Sequence, residues 1–161
     1  MGFGPSVPAR IAIAVLLLAT PIAGCRDQSD SSAGAAVVTV TARAVAGAGE
    51  VLTGPNGRTL YLFVPDAKSQ VRCLGNCPQH WPPLALPEGA KLVAGNGVAA
   101  ALLSTVTGGA TPGARQVTYG GWPLYGYVGD VAPGQAHGQD VVLDGGSWFA
   151  VQPDGHPALV S

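Results

Sequence analysis

From about residue 50 onward, short apolar segments alternate with turn signals, and helical periodicity is almost absent. That pattern predicts an all-β domain, mostly antiparallel. Val51-Leu52-Thr53, Gly54-Pro55-Asn56-Gly57 and Thr59 to Val64 together read as a hairpin, in which Asn-Gly supplies the positive φ angles a tight turn needs. Val117-Thr118-Tyr119, Gly120-Gly121 and Trp122 to Val128 read as a second. Trp148 to Val151 predicts a late strand, closed by a Pro153-Asp154-Gly155 turn. The one helical candidate is Val98 to Leu103. Residues 26 to about 48 are rich in Ser, Ala, Gly and Asp and read mostly as a flexible tether, within which Val37-Val38-Thr39-Val40 is a candidate first edge strand.

The N-terminus follows a different pattern. Arg10 precedes an apolar run, Ile11 to Ala23, that is shorter than the about 20 residues a bilayer span takes. A basic residue before a short apolar core is the mark of a secretory signal. The run ends Ile22-Ala23-Gly24-Cys25, which resembles the lipobox of bacterial lipoproteins: small residues enter a peptidase cleft, and the Cys25 thiol accepts the lipid. The expected organisation is a signal peptide over 1–24, a lipid-anchored tether over 25–48, and a duplicated β domain over 49–161. The expected address is the outer face of the cell membrane, with acyl chains as the anchor. An ordinary secretory signal that happens to end at a cysteine is the plainer alternative.

The two hairpins are copies of one another. Leu60-Tyr61-Leu62-Phe63-Val64-Pro65-Asp66 aligns with Leu124-Tyr125-Gly126-Tyr127-Val128-Gly129-Asp130 at a constant offset of 64 residues. Each copy is followed by a tryptophan, Trp81 or Trp148, 15 or 18 residues after its aspartate. Recurrence at fixed spacing indicates a tandem duplication. Tyr-x-(Phe/Trp/Tyr)-x-x-Asp occurring twice resembles the bacterial secreted-repeat lipoproteins known by that motif. Cys73-x-Gly75-x-Cys77, Trp81-Pro82-Pro83-Leu84, Gln116 to Tyr119, Pro123-Leu124-Tyr125 and Pro133-Gly134 are also typical of that family, so the match runs from about Val51 to Gly155. The resemblance implies fold and address, and no chemistry.

On a strand, side chains alternate between faces. Tyr61 and Phe63 therefore share one face and Leu60 and Leu62 the other, with Tyr125 and Tyr127 set against Leu124, Gly126 and Val128. The aromatic pairs are expected to pack against the partner copy or against Trp81 and Trp148 across a pseudo-twofold. Asp66 and Asp130 end their strands, where a carboxylate accepts N–H groups of the following turn. A polar binding or acid–base site built from the same Tyr and Asp residues is the functional alternative.

Composition narrows the function further. With 8 Lys and Arg against 9 Asp and Glu, the chain has no basic stripe for nucleic acid. With Cys25 lipidated, Cys73 and Cys77 remain, and an even pair outside the cytoplasm reads first as a disulfide. Cys73-x-x-x-Cys77-Pro78 is also similar to copper-delivery proteins of oxidase assembly, with His80, His137 or His156 as a further ligand; those proteins use a βαβ scaffold that this chain does not predict. The loop from Asp130 to Asp144, with Gln135, His137, Gln139 and Asp140, reads as a solvated loop, or alternatively as a cation or ligand site. No nucleophile–base motif is visible, which leaves a wall-modifying hydrolase without catalytic residues. The expected function is a non-catalytic surface module that binds an envelope component or small ligand, without a cofactor. The alternative is a redox or copper-handling protein working through Cys73 and Cys77.

Overall fold

The computed structural model describes residues 1–4, 35–66, 68–110 and 113–159. Two units separate, Met1–Ser32 and Ala33–Ser161, and the second holds every described helix and strand. The signal-like run and Cys25 lie outside the described residues.

Among the described residues ten strands carry the fold: β1 Val37–Val45, β2 Gly49–Thr53, β3 Tyr61–Phe63, β4 Ala85–Leu86, β5 Lys91–Ala94, β6 Leu103–Val106, β7 Arg115–Tyr119, β8 Trp122–Pro123, β9 Val141–Leu143 and β10 Gly146–Ala150. A short helix, α1, spans Cys77–His80. The protein is all-β. Three small sheets run in the orders β2-β1-β5, β3-β10-β9 and β4-β7-β6, with β8 also on β7. Every strand pair is antiparallel except β1 with β5.

The N-terminal boundary differs from expectation. The segment assigned to a tether up to residue 48 already contains the nine-residue strand β1, and β1 is central in its sheet rather than an edge. Val38 and Val40 are buried in alternation with Thr39 and Thr41, and Val45 is buried on the opposite face at the end of the strand, in a different core cluster. A strand buried along one face and paired on both edges is not available as a spacer. The helical candidate at 98–103 also resolves differently. Only a 3-10 turn forms, Ala100–Leu102, and Leu103 then starts β6 against β7, pairing with Tyr119. The turn has no side-chain cap and too few residues to sustain an isolated helix, so the sheet hydrogen bonds prevail.

Of the two hairpins, the second forms as read: Tyr119 pairs with Trp122 across Gly120 and Gly121, both at positive φ. The first forms only at its tip. Gly54 and Gly57 close the turn, Thr53 bridges Thr59, and the Leu60 N–H donates to the Leu52 carbonyl at 2.9 Å. The chain then leaves β2, and β3 pairs with β10.

The duplication is visible in the backbone bonding. In the first copy, Leu52, Leu60 and Val151 form a ring of three hydrogen bonds: Leu60 N to Leu52 O, Leu52 N to Val151 O, and Val151 N to Leu60 O. In the second, Val117, Leu124 and Leu84 repeat it bond for bond. Tyr61 and Tyr125 exchange both backbone hydrogen bonds with each other, at 2.8 and 3.0 Å. A pseudo-twofold axis therefore passes between these two residues. The core divides along the strand faces: Tyr61, Phe63, Tyr125, Trp81 and Trp148 gather in one cluster, while Leu60, Leu62 and Leu124 join another.

Candidate functional site

The residues singled out by the repeat converge at the axis. Tyr61, Trp81, Tyr125 and Trp148 are fully buried. Trp81 and Trp148 stack face to face, with centroids 3.9 Å apart and planes 4° apart. Phe63 stacks on the outer face of Trp148 at 4.3 Å, and Tyr127 stacks on Trp81 at 4.3 Å. The result is a four-ring pile, Phe63–Trp148–Trp81–Tyr127, in which each strand aromatic covers the tryptophan of the other copy. Tyr61 and Tyr125 meet the two tryptophans edge-on. Offset stacks and edge contacts of this kind contribute about 0.5–1.5 kcal/mol each beyond area burial.

The polar groups of the motif are exchanged in the same way. The Tyr61 hydroxyl donates to Asp130 Oδ2 at 2.6 Å, and the Tyr125 hydroxyl donates to Asp66 Oδ2 at 2.7 Å. Each carboxylate also accepts a backbone N–H through Oδ1, Asp66 from Arg72 at 2.6 Å and Asp130 from His137 at 2.8 Å. Asp66 and Asp130 are buried. Burial raises the carboxyl pKa of Asp66, opposed by the Tyr125 hydroxyl and the Arg72 and Cys73 N–H groups. Burial first, and the neighbouring carboxylate second, raise the phenol pKa of Tyr61 and Tyr125 well above its ordinary value. Both tyrosines are therefore neutral donors at physiological pH.

One expectation holds in a modified form. The aspartates do accept backbone N–H groups, but from residues six or seven positions on, across a loop, rather than from the adjoining turn. The hydroxyl-to-carboxylate exchange between copies has no counterpart in the sequence reading, because no local pattern shows which Tyr faces which Asp. A smaller asymmetry sits beside it: Trp148 Nε1 donates to the Leu143 carbonyl at 3.0 Å, while Trp81 Nε1 is buried with no partner among the described residues.

Cys73 and Cys77 form a disulfide, with Cα atoms 5.3 Å apart and both residues buried. It pins the start of α1, whose next residue after His80 is Trp81. The His80 ring is half-exposed and faces Asp144 at 3.0 Å. The sulfurs are thus bonded to each other, and His80 is engaged elsewhere. Among the described residues, no group of three or more His, Cys, Asp or Glu side chains is placed to hold a metal.

The loop from Asp130 to Asp144 is tied to the fold by its own polar groups. The Gln135 carbonyl accepts the Thr59 hydroxyl, and its side chain accepts the Ala132 N–H. Gln139 donates to the Ala158 carbonyl and accepts the Ala150 N–H. Gly138 is required where it stands: an added Cβ would lie 2.9 Å from both Trp81 and Tyr61.

The sequence reading also missed a groove of about 220 Å³ between the first hairpin tip and the second motif copy, with Arg58, Pro82, Gly126 and Tyr127 in its lining. The signal for it lies in the alignment of the two copies, since Gly126 stands opposite Leu62.

Among the described residues, no helix is long and apolar enough to cross a membrane. No curated protein and no solved structure matches the chain. A family model described as a secreted repeat of unknown function matches twice, over residues 42–85 and 106–152. Each match holds one hairpin tip and one motif strand, so the two matches divide the chain as the pseudo-twofold does. The chain belongs to this family of secreted repeats.

Proposed function

We propose that this protein is a non-catalytic binding module, held at the outer face of the cell membrane by a lipid on Cys25. The observation that carries the reading is the reciprocal pairing of Tyr61 with Asp130 and Tyr125 with Asp66. Among the described residues, the acid–base groups that the repeat duplicates are partnered by one another and shut away from solvent, so they serve the fold. Catalysis needs such groups within reach of a substrate. A module of this kind acts through its surface.

Family membership supports a place outside the cytoplasm. The anchor rests on sequence alone: a short apolar run ending Ile22-Ala23-Gly24-Cys25. Two or more acyl chains hold a protein on a bilayer where one does not, and the weakly charged chain offers no polybasic supplement. Metabolic labelling with a fatty-acid analogue tests the reading. The wild-type protein takes up label and fractionates with membranes, and Cys25→Ala is unlabelled and released or mislocalised. Label retained by Cys25→Ala would overturn the anchor.

A further inference from the structure

The two halves of the domain differ where one of them is hollow. Between the first hairpin tip and the second motif copy, Pro55, Arg58, Pro82, Leu84, Gly126 and Tyr127 help to line the open groove of about 220 Å³. Three of the equivalent positions across the pseudo-twofold carry large apolar side chains. The offset that aligns Leu60 with Leu124 aligns Arg58 with Trp122 and Leu62 with Gly126, and the offset that aligns Trp81 with Trp148 aligns Pro82 with Phe149. Leu62 is buried, and Trp122 and Phe149 are half-buried against the cluster to which Leu62 belongs. Leucine, tryptophan and phenylalanine thus occupy in one half the place that glycine, arginine and proline leave open in the other.

The exchange also changes the chemistry. Tyr127 is half-exposed and stands where the other copy has the buried Phe63, so the groove end of the ring pile carries a hydroxyl. Arg58 lends one N–H to the Val131 carbonyl at 3.0 Å, and its guanidinium has further donors. The Asn56 side-chain oxygen is taken by the Arg58 N–H at 3.0 Å, leaving its amide N–H groups. The Thr59 hydroxyl is spent on Gln135. Among the described residues, the lining contains no Asp or Glu. What the groove offers is hydrogen-bond donors and one permanent positive charge beside an apolar floor.

We propose that this groove binds a small organic carboxylate, its apolar body on Pro82, Leu84 and Tyr127 and its carboxylate on Arg58. This rests on the binding-module reading and names the ligand class of that module. Arginine pairs with carboxylates through two parallel, charge-assisted hydrogen bonds. The volume is below the roughly 300–1,000 Å³ typical of pockets for drug-sized ligands, which restricts the body to about one ring or a short aliphatic chain.

The test uses the purified full chain, with cyclohexanecarboxylate as probe and cyclohexanecarboxamide as its neutral counterpart. Binding is followed by saturation-transfer NMR and titration. The carboxylate binds, and the carboxamide binds about tenfold more weakly or worse. Arg58→Gln brings the carboxylate down to the level of the carboxamide. Gly126→Leu copies the residue of the other half into the groove and removes binding of both probes. It is expected to fold, because the nearest atom to an added Cβ is Pro82 Cγ at 3.8 Å; circular dichroism checks this, and Arg58→Gln is an independent variant. Absence of carboxylate binding at millimolar concentration, or binding that neither variant alters, overturns the proposal. Those results leave the lipid-labelling test of Cys25 untouched, so failure of the groove is distinguishable from failure of the anchored-module reading.

Discussion

Tyr61 and Tyr125 put phenol hydroxyls into a fully buried core, where an unpartnered polar group is costly. Each donates to the carboxylate of the opposite copy, and the Tyr61 hydroxyl also accepts the Gly138 N–H at 3.3 Å. Removing one hydroxyl leaves a buried carboxylate short of a donor, and hydrogen bonds to charged groups contribute about 1.5–3 kcal/mol. Tyr61→Phe and Tyr125→Phe should therefore each destabilise by about that amount in urea unfolding, with little change in the far-ultraviolet circular dichroism. An unchanged midpoint for both would mean the bonds contribute nothing net. The same residues set an alkaline limit. Their pKa is raised in the folded protein above the ordinary 10.0, so their contribution is complete below pH 10 and is lost as pH rises through the folded value. Stability should fall above about pH 10 by about 1.4 kcal/mol per pH unit for each tyrosine. The double Phe variant, less stable at neutral pH, should have a shallower alkaline slope; equal slopes would refute the linkage. That these tyrosines are buried aromatics on one strand face was legible from alternation alone. Their choice of partner was not, because it depends on residues 59 and 69 positions away.

At the scale of elements, the glycine-bearing turns were the most readable features. Gly57, Gly120 and Gly121 take the positive φ that their turns need, and such a requirement is local. Strand partners were less readable. Beyond Leu60 the first hairpin opens because β3 pairs with β10, which brings Phe63 opposite Trp148. A short apolar segment specifies that it will pair, and the register that buries the aromatics selects the partner. The stretch before residue 49 looked like a tether because Ala, Gly and Ser dominate it, yet alternating Val and Thr make β1 a central strand. The disulfide is a local element with a measurable effect. Closing so small a loop stabilises by roughly 2 kcal/mol in the chain-entropy model. Mass spectrometry of untreated protein should show Cys73 linked to Cys77. The reduced protein should melt lower and show no stoichiometric, tight Cu(I) binding. Free thiols as isolated, or tight copper once reduced, would favour the copper-handling alternative.

For the whole molecule, the exchange of rings and hydrogen bonds between copies means that neither copy is complete alone. A fragment of residues 35–95 keeps Tyr61 and Asp66 but loses Asp130, Tyr125 and the Trp148 face on which Phe63 stacks. It also loses β10, the partner of β3. Such a fragment should give a poorly dispersed NMR spectrum, and mixing with residues 96–161 should restore dispersion. A fragment that folds alone would show that the copies are independent domains. By itself the sequence determined the all-β class, the duplication with its 64-residue offset, the two faces of each motif strand and the disulfide-forming pair. These follow from alternation, turn chemistry and repeat spacing, all carried by neighbours along the chain. Only the tertiary structure decided that the copies interlock rather than stand side by side, that the aspartates serve the other copy's tyrosines, and that one half is filled where the other is open. Those outcomes depend on which faces meet across the pseudo-twofold. Packing of four aromatic rings in one stack, three of them buried, selects that meeting, and no segment of the chain encodes it alone.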